Sequence, residues 1–90
     1  MDIEFDTAKR DANLEARGLD MADAGEVFAE ATLTVEDERE DYGEPRFITI
    51  GHMGGRLVVL VWTPRGAARR IISLRKANER EQRKYGLLLG

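Results

Sequence analysis

Between Arg69 and Tyr85 the chain reads RRIISLRKANEREQRKY, and this segment holds most of the side chains able to grip a phosphate or move a proton. Arginine forks match phosphate oxygens two at a time, whereas lysine and tyrosine exchange protons once their surroundings tune them. Arg70, Arg75 and Lys76 form a candidate phosphate clamp, with Arg46 a further member from earlier in the chain. Glu81 and Tyr85 add a carboxylate and a phenol, and Lys76 is the leading candidate for a catalytic role. Breaking a phosphodiester without a metal needs a group to accept the proton of the attacking hydroxyl, cations to hold the charge of the pentavalent phosphorane, and a donor for the departing oxygen. The alternative is a surface that only binds: a non-catalytic RNA- or protein-binding module that uses the basic C-terminal half.

Several of these residues also have structural readings. Glu81 follows Asn78 by three positions and so matches a capping box at a helix start, with general base as the sharper alternative. Ala77, Glu81, Tyr85 and Leu88 share one helical face, so Tyr85 is a proton donor, a base-stacking platform or a core tyrosine with its hydroxyl at the rim. Strand alternation sets Ile71, Ser73 and Arg75 against Arg70, Ile72 and Leu74, so Arg70 and Arg75 share a face only across a bulge. His52, the single histidine, falls in a glycine-rich turn without a partner and reads as an exposed turn residue; Trp62 reads as core. No His or carboxylate cluster has metal-ligand spacing, and Glu36 to Glu44 lacks the register of a calcium loop. Gly51 to Gly55 is not followed by the lysine and helix start of a phosphate loop. No metal and no cofactor are expected.

Charge is sorted along the chain. Residues 1–44 carry 15 acidic against 4 basic side chains, and residues 45–90 carry 10 basic against 2 acidic. The basic half suggests a phosphate-bearing partner, while the acidic half discourages loose attachment to polyanions. Ninety residues fit a single domain over 1–90 with a modest core. There is no cysteine, hence no disulfide or thiol chemistry. The apolar run Leu57 to Trp62 is far short of the roughly 20 residues that span a bilayer, and the acidic start MDIEFD shows no secretory signal. A cytoplasmic protein with no membrane association is expected.

The elements that must position these groups follow from periodicity. Ile3 and Phe5 alternate with charges as in a short strand or a staple; Asp6 then caps a helix whose Ala8, Ala12, Ala16 and Leu19 face one way, ending at Gly18. Asp20 starts a second helix of two to three turns, with Met21, Ala24, Gly25 and Phe28 on one face. Thr32 to Glu36 is a strand, Asp37 to Pro45 an acidic exposed connection, and Arg46 to Gly51 a strand. His52 to Gly55 is a hairpin turn, and Arg56 to Thr63 a buried central strand. Pro64 to Ala68 turns into a last strand, Arg69 to Arg75, before the terminal helix. The expected fold is α+β with order α-α-β-β-β-β-α: a four-stranded antiparallel meander covered by helices on one face and free on the other.

The pattern Phe5-Asp6, Lys9, Asn13, Gly18, Glu26-Val27-Phe28, Arg46-Phe47, Ile50-Gly51, Gly55-Arg56, Thr63 and then Arg70-Ile71-Ile72-Ser73, Arg75-Lys76-Ala77, Glu81 and Tyr85 closely resembles the BrnT family of toxins of bacterial type II toxin-antitoxin systems. The resemblance covers essentially the whole chain. It implies a RelE-like fold and a metal-independent endoribonuclease that arrests translation. It also implies neutralisation by a BrnA-type antitoxin with a ribbon-helix-helix DNA-binding domain, in a heterotetramer of two toxins and two antitoxins that meets DNA only through the antitoxin. Where members of that family commonly carry Lys-His before the glycine, this chain has Ala16-Arg17: if that His is the general base its loss cripples the enzyme, and if it lines the basic surface Arg17 replaces it. On the second reading, which the retained positive charge favours, Arg17 joins Arg46 and Arg70 as an expected RNA phosphate-binding residue beside the catalytic set Lys76, Arg75, Glu81 and Tyr85.

Overall fold

Ile3 and Phe5 alternate because they lie on a strand, and that strand changes the topology. The computed structural model describes residues 2–89; Met1 and Gly90 lie outside the described residues. In chain order the elements are β1 (Asp2–Phe5), α1 (Thr7–Arg17), a 3-10 turn (Met21–Asp23), α2 (Gly25–Phe28), β2 (Leu33–Glu36), β3 (Phe47–Met53), β4 (Arg56–Arg65), β5 (Ala68–Lys76) and α3 (Glu79–Tyr85). One five-stranded sheet runs in the order β1-β5-β4-β3-β2. The fold remains α+β, but the expected four-stranded antiparallel meander is corrected to a mixed sheet, because β1 lies parallel to β5 with Glu4 opposite Arg70 and Phe5 opposite Ile71. Ile3 and Phe5 thereby join the main core while Glu4 meets an arginine, so one short strand satisfies both burial and charge.

The expected second helix is also corrected. Asp20 accepts a hydrogen bond from the Ala22 amide at 2.9 Å, but what it caps is a single 3-10 turn followed by the four residues of α2. The buried residues are Met21, Ala24 and Val27, three apart, which is the repeat of a 3-10 turn rather than of the 3.6-residue spacing assumed from sequence. Helix α1 starts and ends where expected, with Asp6 accepting from the Lys9 amide and Gly18 at φ 67°. Its Ala8, Ala12 and Ala16, however, are exposed. The helix is tied down by polar groups instead: the Arg10 fork on Asp20 (2.8 and 2.7 Å), the Asn13 amide on the Leu19 carbonyl and Arg17 on the Leu74 carbonyl.

Both hairpins are tighter than expected. Gly54 and Gly55, at φ 58° and 78°, form the two-residue turn between β3 and β4, which leaves His52 half-buried on β3 rather than in the turn. Pro64 belongs to β4, opposite Arg69, and the second turn narrows to Gly66-Ala67. Between Val61–Ser73 and Trp62–Ile71 the register slips, leaving Ile72 as the extra residue of a bulge on β5. The slip turns Ile71 and Leu74, three apart, into the same core, 2% and 0% exposed.

The sheet has two unlike faces. One carries Val58, Leu60, Trp62, Ile71 and Leu74 and packs under Leu19, Met21, Ala24 and Val27. Gly51 marks the closest approach: a Cβ there would stand 2.7 Å from Val27 Cγ1. The other face carries Ile50, Leu57 and Val59 and was expected to be free; α3 folds back over one end of it, setting Tyr85 and Ala77, with Leu89 beyond them, against those residues.

Candidate active site

The bulge at Ile72 decides which arginines meet. Past the slip, Arg70, Ser73 and Arg75 all stand opposite Thr63, Val61 and Val59, and therefore on the sheet face that α3 only partly covers. By the same register Lys76 stands opposite Val58, whose side chain is in the main core, so Lys76 is directed to the other face. Arg75 and Lys76, adjacent in sequence, are separated by the strand itself.

Helix α3 brings the carboxylate to Arg75. The Asn78 side chain accepts from the Glu81 amide at 2.8 Å and the Glu81 carboxylate accepts from the Asn78 amide at 2.9 Å, a complete capping box. The same carboxylate takes a two-pronged grip on Arg75, Nη1 to Oε1 at 2.8 Å and Nη2 to Oε2 at 3.0 Å. The capping and functional readings of Glu81 are thus geometrically compatible. Hydrogen bonds from Arg75 hold the Glu81 carboxyl below its ordinary range, and those bonds raise Arg75 in turn. Next to the pair is a hollow of about 300 Å³ lined by Val35, Ile48, Ile50, Val59, Arg75, Arg80, Glu81, Lys84 and Tyr85. Three of the four residues expected to be catalytic, Arg75, Glu81 and Tyr85, therefore share one hollow with an apolar floor and a basic rim. Such a floor suits the flat face of a base and such a rim a phosphate.

The expected phosphate-binding residues are placed less uniformly. Arg70 lies on this face, half-buried, with Nη1 2.8 Å from Glu4 Oε1. Arg46, one residue before β3, alternates with Ile48 onto the same side; its guanidinium stacks 4.1 Å over the Tyr42 ring and approaches Glu44 at 3.8 Å. Arg17 lies elsewhere. It closes the edge of β5 beyond the end of β1, donating from Nη1 to the Leu74 carbonyl at 3.0 Å. Arg69, which was not singled out, is half-buried on the other face, where it stacks 3.9 Å over Phe28 and 5.1 Å over Trp62.

Sequence reasoning missed one cation. The connection after β2, read as exposed and acidic, contains Arg39, whose Nε and Nη2 donate to the two oxygens of Asp37 at 2.8 and 2.7 Å. The Asp37 side chain is only 1% exposed, that of Arg39 is 67% exposed, and the Tyr42 hydroxyl completes the set at 3.3 Å. Hydrogen bonds from Arg39 lower the Asp37 carboxyl to about 2. The signal in the sequence was a lone arginine two residues after an aspartate at a strand end; the surrounding acids masked it.

Among the described residues, no group of three or more His, Cys, Asp or Glu is arranged to hold a metal ion. No helix among them is long and apolar enough to cross a membrane. No curated protein matches the chain. A family model described as the ribonuclease toxin BrnT of type II toxin-antitoxin systems matches residues 5–81, from the last residue of β1 to Glu81.

Proposed function

The chain belongs to the BrnT family of ribonuclease toxins of type II toxin-antitoxin systems, and from that premise we propose that it cleaves RNA without a metal on the sheet face bearing Arg75, Glu81 and Tyr85, and so inhibits translation. The observation that carries this reading is the two-pronged Arg75–Glu81 pair at the edge of the hollow that Tyr85 lines. A cation and a carboxylate held together beside a phenol supply the three functions that 2′-OH attack requires.

In the proposed sequence, an RNA phosphate draws the Arg75 guanidinium away from Glu81. Losing those hydrogen bonds makes the Glu81 carboxylate more basic, since Arg75 is what holds it low. Glu81 then accepts the 2′-OH proton, O2′ bonds to phosphorus, and the P–O5′ bond breaks as Tyr85 gives its proton to O5′. The products are a 2′,3′-cyclic phosphate and a 5′-hydroxyl. Arg70 and Arg46, on the same face, hold flanking phosphates once these outcompete Glu4 and Glu44. Lys76 and Arg17, placed away from this hollow, are not assigned a step.

A ribonuclease toxin of a type II system has an RNA target and a protein antitoxin. We assign the antitoxin to the BrnA type, with a ribbon-helix-helix dimer joining two toxins in a heterotetramer, DNA being met only by the antitoxin and the whole acting in the cytoplasm. The test is to incubate the purified chain with single-stranded RNA in EDTA, in parallel with Arg75→Ala, and to identify the product ends. Cyclic phosphate ends that disappear in the variant support the reading; cleavage that needs added metal, or that survives in Arg75→Ala, overturns it.

A further inference from the structure

We propose that Arg39 is an RNA-phosphate-binding residue of this same face and Asp37 its positioning residue; the inference rests on the ribonuclease site being where the preceding section puts it. The argument starts from Asp37. The Asp37 amide donates to the Arg46 carbonyl at 2.8 Å, extending the β2–β3 ladder by one residue, so Asp37 alternates with Leu33 and Val35. That phase is the phase of Ile48, Val61 and Ser73, the face of the hollow. A carboxylate buried on a sheet face is costly unless it is fully paired. Here its partners are the amide and side chain of Arg39 and the hydroxyl of Tyr42. The result is a buried anion that fixes one exposed guanidinium in place while also tying down the start of the connection.

The way that guanidinium is held matters. Asp37 engages its side edge, Nε and Nη2, while among the described residues Nη1 has no hydrogen-bond partner. The end edge formed by Nη1 and the second Nη2 hydrogen is the one a phosphate takes in a two-pronged contact. Arg75 is held the opposite way, with Glu81 on its end edge. A phosphate must therefore displace a carboxylate at Arg75 but finds Arg39 already presented. Asp37 sets Arg39 at the β2 end of this face and Arg75 lies at the α3 end, so a single strand of RNA laid across the face would meet both arginines. Glu36, Glu38, Glu40, Asp41 and Glu44 line a hollow beside Asp37 and Arg46 and oppose a phosphate there, so Arg39 has to offset them as well as bind.

The test uses a fluorescent mixed-sequence single-stranded RNA and the full chain, with binding followed by anisotropy across a salt series and cleavage followed in EDTA. Variants are Arg39→Ala, Arg39→Lys, Asp37→Asn, Arg75→Ala, and Arg56→Ala as a charge-matched control on the helix-covered side. Thermal melts report which of them fold. Arg39→Ala is expected to weaken binding and raise KM about tenfold, the loss of one charge-assisted contact, with kcat little changed. Its salt slope should fall by about 0.7, the value for one phosphate contact on a single strand. Arg39→Lys should restore the slope but only part of the affinity, and Asp37→Asn should raise KM while leaving the slope in place. If Arg39→Ala matches Arg56→Ala while Arg75→Ala loses activity, Arg39 is a loop brace and this proposal fails alone. If Arg39→Ala weakens only the antitoxin complex, the residue serves the protein partner and the proposal is equally overturned. If Arg75→Ala also behaves as wild type, the site itself has been misplaced.

Discussion

Glu81→Gln separates the capping role of this carboxylate from the catalytic one proposed for it. The amide oxygen of glutamine can still accept from the Asn78 N–H, which Glu81 now binds at 2.9 Å, so the helix cap survives. What is lost is the charge facing Arg75. With side-chain exposures of 43% for Arg75 and 19% for Glu81, solvent screens the pair, and its removal costs roughly 0.5–1 kcal/mol. In a domain of this size that lowers Tm by at most about 4–8 °C. The catalytic loss should be far larger: deleting a general base typically removes about 10²–10⁴ in rate. Glu81→Ala should add the loss of the reciprocal cap, roughly another 0.5–1 kcal/mol, without lowering the rate further. The assay is cleavage of a defined RNA in EDTA at a temperature where melts show both variants folded. Glu81→Gln with a rate within a few-fold of wild type would refute the assignment and leave Glu81 as a capping residue alone.

Arg75→Ala and Lys76→Ala should part company, the first losing cleavage and the second retaining it, since the two side chains stand on opposite faces; equal losses would show that the strand register is not what organises the site. Gly51→Ala should lose about 1–3 kcal/mol by denaturant unfolding, because its Cβ would press on Val27 at 2.7 Å and Thr32 at 3.1 Å under a residue that is fully buried. Acid should destabilise the fold late. Asp20 and Asp37 are held to about 2 by their arginines, below their ordinary 3.8, so their contribution is complete above the ordinary value and is lost only as pH falls toward about 2. The acid limb of the kcat/KM profile should lie below the ordinary glutamate range, as expected of a base lowered by Arg75, and should move up in Arg75→Lys if that variant retains measurable rate.

The sequence disclosed what local chemistry controls. Asp6, Gly18 and Asn78 cap where their side chains or backbone freedom dictate, and the C-terminal capping box formed with both of its bonds. The central strand was visible as an apolar run because it is buried on both faces. Partnership was hidden. Nothing in Asp2 to Phe5 says that it pairs with a strand more than sixty residues later, since a four-residue alternation fits a staple as well as a parallel edge. The bulge was recognised only as a condition for Arg70 and Arg75 to share a face; its place at Ile72 depends on how β4 packs, which no local pattern encodes. Lys76 was singled out for what a lysine can do; that it stands on the face opposite Arg75 follows from the register with β4, which a local pattern does not fix. Arg39 looked irrelevant because the burial of Asp37 cannot be read from its neighbours.

The sorted charge takes on a different meaning once the chain is folded. Read along the sequence, the acidic half and the basic half imply two surfaces of opposite sign, yet the fold lays them against each other: Glu4 on Arg70 across β1 and β5, and Glu44 between Arg46 and Arg65. Within the C-terminal segment Glu81 does the same to Arg75. The arginines expected to grip RNA on this face are therefore each offset by a carboxylate in the free protein. A phosphate must outcompete those carboxylates one by one, which disfavours a brief electrostatic encounter and favours a strand that engages several positions together. A chain of formal net charge −3 arranged in this way should hold isolated polyanion contacts weakly. On the mechanism proposed above, an antitoxin that held the Arg75–Glu81 pair closed would remove the clamp and the base at once, with no need to fill the hollow.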